Sequence, residues 1–363
     1  MANKQQQEEK FLEIYHSLNE EQKLAVDTIE GPVLVIAGPG TGKTQILSAR
    51  IGKILLETDT APQNILCLTF TDAGVVAMRK RLISFMGSDA YKVQVHTFHS
   101  FCNMVLQENA RYFNKKEIDP LSDLEKIEVM QQLIDGFEND NSLKRFKGSI
   151  YFDINNLAQL FSAIKRENWT VETLLQQIDD YSQNIIPETE GFYNKRKKAK
   201  GEFELTQKGK DEIDRMRRLK DAVHSFKKYQ EILFEKKRYD YDDMINWAIR
   251  LFEEHPEVLL NYQERFQYIL VDEYQDSSGS QNKIVELLIS FWQDEKPNIF
   301  VVGDDDQSIY KFQGANLKNL QSFLKTFDKD LLKIVLTKNY RSVQPVLDAA
   351  KNLVENNEER LVK

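Results

Sequence analysis

Two short stretches of this 363-residue chain hold residue types that could handle a triphosphate. The first is AGPGTGKT, Ala37–Thr44. Gly38, Gly40, Thr41 and Gly42 would form a loop whose backbone N–H groups converge on phosphate oxygens, because the glycines carry no side chains to block the approach. Lys43 can reach the β- and γ-phosphates, and the Thr44 hydroxyl can ligate Mg2+. The second stretch is Asp272–Glu273. Asp272 would hold Mg2+ through water, and Glu273 would polarise an attacking water as general base. Together they point to triphosphate binding with hydrolysis, without naming the work done with the energy.

Such residues need a scaffold that aims them at one place. Short apolar runs at Val33–Ala37, Ile65–Phe70, Val93–Phe98, Tyr268–Val271, Ile299–Val302 and Leu332–Leu336 alternate with helical sequence. That pattern predicts buried parallel strands. Each run delivers polar residues at its carboxyl end, the edge where α/β sheets bind ligands. Between about Arg111 and Glu235 no strand is evident, and Leu124–Phe137, Ile154–Asn168, Val171–Tyr181 and Asp211–Phe234 have helical periodicity. The expected fold is α/β, a P-loop NTPase parallel sheet flanked by helices, with an inserted all-helical subdomain. The insertion accounts for the separation of 229 positions from Lys43 to Asp272 without a long structureless loop.

Composition narrows the setting. With 49 Lys+Arg against 57 Asp+Glu the net charge is −8, which gives no global sign of nucleic acid but leaves room for a local basic groove. Lys195–Arg238 is such a locality, with 16 Lys/Arg against 8 Asp/Glu; it reads as a solvated helix face or a nucleic-acid contact. No apolar run approaches the ~18–20 residues that span a bilayer, and the start MANKQQQEEK is polar, so no membrane association is expected. Two cysteines, Cys67 and Cys102, cannot build a disulfide scaffold, and a cytoplasmic location is the expectation. The acidic YDYDDM, Tyr239–Met244, reads as a helix start rather than a metal site. His16, His224 and His255 have no partners at ligand spacing.

Six segments in order carry a resemblance to superfamily 1A DNA helicases of the UvrD/Rep/PcrA kind: LNEEQKLAV, TFT, HTFHSF, LVDEYQDSS, VVGDDDQSIYKFQGA and KNYRS, beside the P-loop. The resemblance implies a RecA-like motor domain and gives further residues their roles. Gln22 would bind the adenine edge. Phe70, Thr71, Phe98 and His99 would face single-stranded DNA, together with Tyr310 and Phe312. Gln307 would sense the γ-phosphate, Tyr340 would stack on adenine, and Arg341 would reach the γ-phosphate. The implied cofactors are ATP and Mg2+. The implied partner is single-stranded DNA or a single-strand/duplex junction, generally tracked 3′ to 5′. The oligomeric state stays open.

The sequence departs from the family at several positions. Gln45 stands where the family usually has Arg, Asp72-Ala73 where it has Asn-Lys, Phe312 where it has Trp, and Gln313 where it has Arg. A family member also continues well beyond KNYRS, so the chain reads as an amino-terminal portion, weakly active or inactive alone. By this reading 1–110 and 236–329 form motor domain 1A, 111–235 the helical insertion 1B, and 330–363 the start of a second motor domain 2A. Two alternatives remain: the motor portion of a helicase–nuclease recombination or repair subunit, with the nuclease farther along the chain or on a partner, and a non-processive ATP- and DNA-binding scaffold.

Overall fold

Strands β1 (Val33–Ala37), β2 (Ile65–Thr69), β3 (Gln94–Thr97), β6 (Tyr268–Val271), β7 (Ile299–Gly303) and β8 (Leu332–Leu336) form one sheet in the order β3-β2-β6-β7-β1-β8. Every pairing in it is parallel, with Val35 opposite Val302 and Leu68 opposite Val271. The computed structural model describes residues 2–113, 118–145, 148–195, 204–292, 296–304 and 317–354. β1, β2, β6 and β7 are buried along their whole length, as continuous apolar runs require when helices cover both faces. Because the strands run in one direction, the residues after β1, β2, β3, β6, β7 and β8 all emerge at one edge.

The chain divides into two compact units, Met1–Tyr112 with Met244–Lys363, and Phe113–Asp243. β8 corrects one expectation. The sequence reading assigns 330–363 to a second motor domain, yet β8 pairs with β1 in the first sheet, Ile334 opposite Val35. Its Ile334 and Leu336 are buried there, and the pairing covers an edge of β1 that would otherwise present unpaired N–H and C=O groups.

In the first unit, helices α1 (Ala2–His16), α2 (Glu20–Asp27) and α3 (Lys43–Glu57) pack beside β1. Arg50 of α3 is almost wholly buried and donates to the carbonyls of Ala25, Thr28 and Ile29, which end α2. Its guanidinium lies 4.4 Å from the centre of the Phe300 ring. Burial pulls its pKa down to about 9. Those carbonyls satisfy a charge that has been removed from water, and in return Arg50 ties α2 to the helix that carries the P-loop lysine.

The second unit contains α6 (Asp123–Asp135), α7 (Ile154–Arg166), α8 (Val171–Asp180) and the long α9 (Gln207–Glu235). Its core joins Val129, Leu133, Phe161, Phe226, Tyr229 and Leu233. The two-residue strands β4 (Asp119–Pro120) and β5 (Arg238–Tyr239) pair in parallel where the insertion begins and ends. Lys165 of α7 is buried between two carboxylates, 2.8 Å from both Asp240 and Asp243. Asp240 and Asp243 also exchange backbone-to-carboxylate bonds, a reciprocal cap on the helix that follows. The Tyr239–Met244 segment is thus a helix start, built around a buried cation. Burial pulls the Lys165 ammonium down, but Asp240 and Asp243 more than offset it, so its pKa ends above the usual lysine value. Burial, with the charge of Asp240, keeps the Asp243 carboxyl above the usual range.

Lys165→Met would leave two buried carboxylates without a cation, at a cost of about 3–5 kcal/mol. Burial would then raise their folded-state pKa values above the unfolded ones, so the folded variant binds more protons than the unfolded chain. Its stability deficit relative to wild type is therefore expected to grow as pH rises from about 5 to about 8, read from urea unfolding midpoints.

Candidate nucleotide site

The loop after β1 takes its shape from two glycines. Gly40 and Gly42 adopt φ of 78° and 96°, the left-handed region that side chains disfavour. A Cβ on Gly42 would lie 2.7 Å from the Gln22 amide nitrogen, and one on Gly40 would lie 2.6 Å from Cβ of Arg341. Thr41 turns its hydroxyl inward to the Gly38 carbonyl at 2.7 Å, so its side chain shapes the loop. Gly42 supplies no side-chain cap to α3, which leaves the helix amino end open to an anion.

Lys43 Nζ sits 2.7 Å from Glu273 Oε2. Glu273 follows β6 in a left-handed conformation, φ 51°, which costs a non-glycine residue of order 1 kcal/mol or more and holds the carboxylate over the P-loop. Asp272 is buried, and its N–H joins the ladder to Leu68. Burial and the neighbouring Glu273 charge push its carboxyl up to about 6, against the opposing pull of Lys43.

Gln275 is the residue that the sequence reading left without a role. It is wholly buried. Its amide nitrogen donates to Glu273 Oε2 at 2.9 Å and to Asp276 Oδ2 at 3.2 Å, while its oxygen accepts from the Asp304 N–H at 2.9 Å. A polar residue in an acidic stretch ordinarily reads as solvated, which is why spacing gave no signal.

The carboxyl-terminal KNYRS segment closes over the loop. Tyr340 N–H donates to the Gly40 carbonyl at 2.9 Å, and the Asn339 amide donates to the Pro39 carbonyl. Residues 39, 40 and 42–45 with Arg81, Glu273, Tyr340 and Arg341 enclose a cleft of about 280 Å³. Arg81, from α4 (Asp72–Met86), adds a cation that sequence reasoning missed, since a helical arginine resembles any solvated one. Gln22 lies beneath the loop. Its oxygen accepts from Asn19 N–H at 3.0 Å and its nitrogen donates to the Thr41 carbonyl at 2.8 Å, so the amide braces the P-loop. Gln45 donates to the Ser17 hydroxyl at 3.3 Å, and Asn19 to the Tyr340 hydroxyl at 3.0 Å. A larger groove of about 500 Å³ in the helical unit, lined in part by Phe137, Asp221 and His224, has no phosphate cradle.

A strand–loop–helix cradle, an acidic pair after the strand one removed from it and a returning Tyr-Arg segment meet at one edge of the sheet. The family profile for the UvrD/REP helicase N-terminal domain matches residues 18–328. The chain belongs to the UvrD/REP helicase family. It is 33% identical over 355 residues to an ATP-dependent DNA helicase PcrA of Staphylococcus aureus strain Mu50, covering 96% of this chain and 41% of that protein. A Staphylococcus epidermidis protein of the same name is 32% identical over 348 residues, again covering 96% of this chain and 41% of the relative. The chain thus spans about two fifths of the length of the curated relatives it matches.

In this UvrD/REP-family chain the other expected residues divide. Phe70 is exposed after β2, and Thr71 caps α4 by accepting from Gly74 N–H at 3.0 Å. β3 lies beside β2, so Phe98 and His99, opening α5 (Phe98–Glu108), emerge at the neighbouring position. His99 is half-buried. Phe98 departs from the expectation of a stacking face: only 3% of its surface is exposed, so it packs inward at the start of α5. Gln307, Tyr310 and Phe312 lie outside the described residues.

Gly40→Ala is expected to fold and to lose about five-fold or more in ATP affinity, because the added methyl displaces Arg341 and strains the loop by about 1 kcal/mol or more. Calorimetric titration beside a thermal melt separates that outcome from general destabilisation.

Proposed function

We propose that this chain is the amino-terminal motor portion of an ATP-dependent DNA helicase or translocase, binding ATP–Mg2+ and single-stranded DNA and moving 3′ to 5′ in the longer protein. The observation that carries the reading is the meeting of Lys43, Glu273 and Arg341 around one glycine-built loop. Phosphoryl transfer needs positioned charge more than covalent chemistry, and this cleft supplies three cations, Lys43, Arg81 and Arg341.

The residues present fit the cofactor. The space at Gly40 and Gly42 admits no Cβ. The adjacent Asp272 and Glu273 oppose each other's charge, and Asp276 Oδ1 is a buried oxygen with no hydrogen-bond partner. Among the described residues no cluster of three or more His, Cys, Asp or Glu could hold a metal alone, so Thr44 and Asp272 would share the ion with phosphate oxygens. A bound Mg2+ would neutralise charge between the β- and γ-phosphates. Lys43 rests on Glu273, 2.7 Å from its Oε2. With triphosphate present Lys43 would turn to the phosphate oxygens, leaving Glu273 to accept a proton from water as its oxygen attacks the γ-phosphorus and the β–γ bridging oxygen departs. Arg341 and Arg81 would hold the charge that develops on the transferred group. Tyr340, 63% exposed at the cleft mouth, would stack on adenine, and Gln22 would read its edge.

For DNA, support comes from the exposed Phe70, which follows β2 at the edge where the residues after β3 also emerge. Titration of a fluorescent oligothymidylate and of ATP against Lys43→Ala and Phe70→Ala tests the reading. Lys43→Ala should abolish measurable ATP binding with little change in DNA affinity. Phe70→Ala should weaken DNA binding by about 1–3 kcal/mol and leave ATP affinity unchanged. Equal loss of both ligands in Phe70→Ala would mean that the ring supports the fold instead.

A further inference from the structure

We propose that Asn19 is a positioning residue that tethers Tyr340, so that the place of the ring is fixed by the protein rather than by the nucleotide. The proposal rests on the ATP reading above and adds to it a residue that acts through Tyr340. The Asn19 amide uses both of its ends. Its Oδ1 accepts from the Gln22 N–H at 2.8 Å, which caps α2, and its Nδ2 donates to the Tyr340 hydroxyl at 3.0 Å. Gln22 and Tyr340, the two side chains expected to meet the base, are therefore joined through a third, although Asn19 and Tyr340 lie 321 positions apart.

The setting of Tyr340 shows why that bond counts. Its main chain is tied to the P-loop, but its ring is 63% exposed, so packing fixes it little. A loosely packed ring samples several staggered rotamers. Immobilising such a side chain on a ligand costs about two- to ten-fold in affinity, and a hydroxyl anchor removes that cost in advance. The anchor works because Asn19 is itself held. Leu18 beside it is buried, and the Ser17 hydroxyl accepts from Gln45 of α3. The Asn19 N–H donates to Gln22 Oε1 at 3.0 Å, which completes a reciprocal cap. Gln22 then donates to the Thr41 carbonyl, and Tyr340 N–H donates to the Gly40 carbonyl. These bonds close a circuit that starts and ends on the P-loop: Thr41 to Gln22, Gln22 to Asn19, Asn19 to the Tyr340 hydroxyl, and Tyr340 back to Gly40.

The test titrates ATP and inorganic tripolyphosphate, each with Mg2+, into this chain by calorimetry; the difference between them reports the nucleoside end alone. Asn19→Ser keeps a good helix cap and removes the amide that reaches Tyr340. Tyr340→Phe keeps the ring and removes the hydroxyl. Each is expected to bind ATP about three- to ten-fold more weakly than wild type, and tripolyphosphate within about two-fold of it. The double variant should lose no more than either single one, since both delete the same bond. If wild type binds neither ligand, or binds the two equally, the reading of the cleft as an ATP site fails and takes the proposal with it. If wild type prefers ATP but the losses in the two variants add, extend equally to tripolyphosphate or do not appear, the proposal alone is overturned. Should Asn19→Ser fail to fold, Tyr340→Phe, altered at an exposed position, decides by itself: wild-type affinity for ATP overturns the tether.

Discussion

The contact between Lys43 and Glu273, 2.7 Å long and made across 230 positions of sequence, is the constraint on which the rest of the site depends. Neither residue could reach the other from its own segment. β1 and β6 stand on either side of β7 in a parallel ladder, and that arrangement brings both carboxyl ends to one edge. The glycine-built loop lowers Lys43 toward the acidic turn, and the left-handed backbone of Glu273 lifts its carboxylate to meet it. The strain at Glu273 persists because Lys43 and Gln275 both bind the oxygen it presents.

Around this contact the polar groups form a layered support. Arg50 closes the end of α2 from within the P-loop helix, and Gln22 at the start of α2 braces the Thr41 carbonyl. One helix is thus fastened to the nucleotide loop at both ends. Tyr340 N–H and the Asn339 amide fasten the chain after β8 to the loop's outer side. The helical unit solves a separate problem. Its interior ion cluster of Lys165, Asp240 and Asp243 sits at its carboxyl-terminal border, where the reciprocal cap starts the next helix. Burying one cation between two carboxylates fixes that geometry more tightly than an apolar contact would, at a desolvation cost.

Much of this was legible in the sequence because the signals were local and strong. VLVIA ahead of GPGTGKT, or YILV ahead of DEYQD, joins a buried strand to a chemically distinctive turn, and each apolar run lies where a strand formed. The long helices of the insertion announced themselves by periodicity. What stayed hidden is set by tertiary partners. β4 and β5 are two residues each, too short for any period, and exist because the two ends of the insertion meet. β8 resembles any short strand, and nothing local says that it joins β1 rather than a new sheet. Phe98 and Phe70 follow strands in similar fashion, yet one packs inward and the other faces outward. Gln275 looks like a solvated residue among acids until Asp304 is seen above it.

Because Glu273 binds the Lys43 ammonium, it competes with a triphosphate for the same group. The most direct measurement is the affinity of ATP, in EDTA so that no metal intervenes, for wild type and for Glu273→Gln, which keeps shape and removes the competing charge. The account expects the variant to bind ATP several-fold more tightly, a difference of about 1 kcal/mol. Unchanged or weaker binding would contradict it, since Lys43 would then be held by something other than the carboxylate beside it.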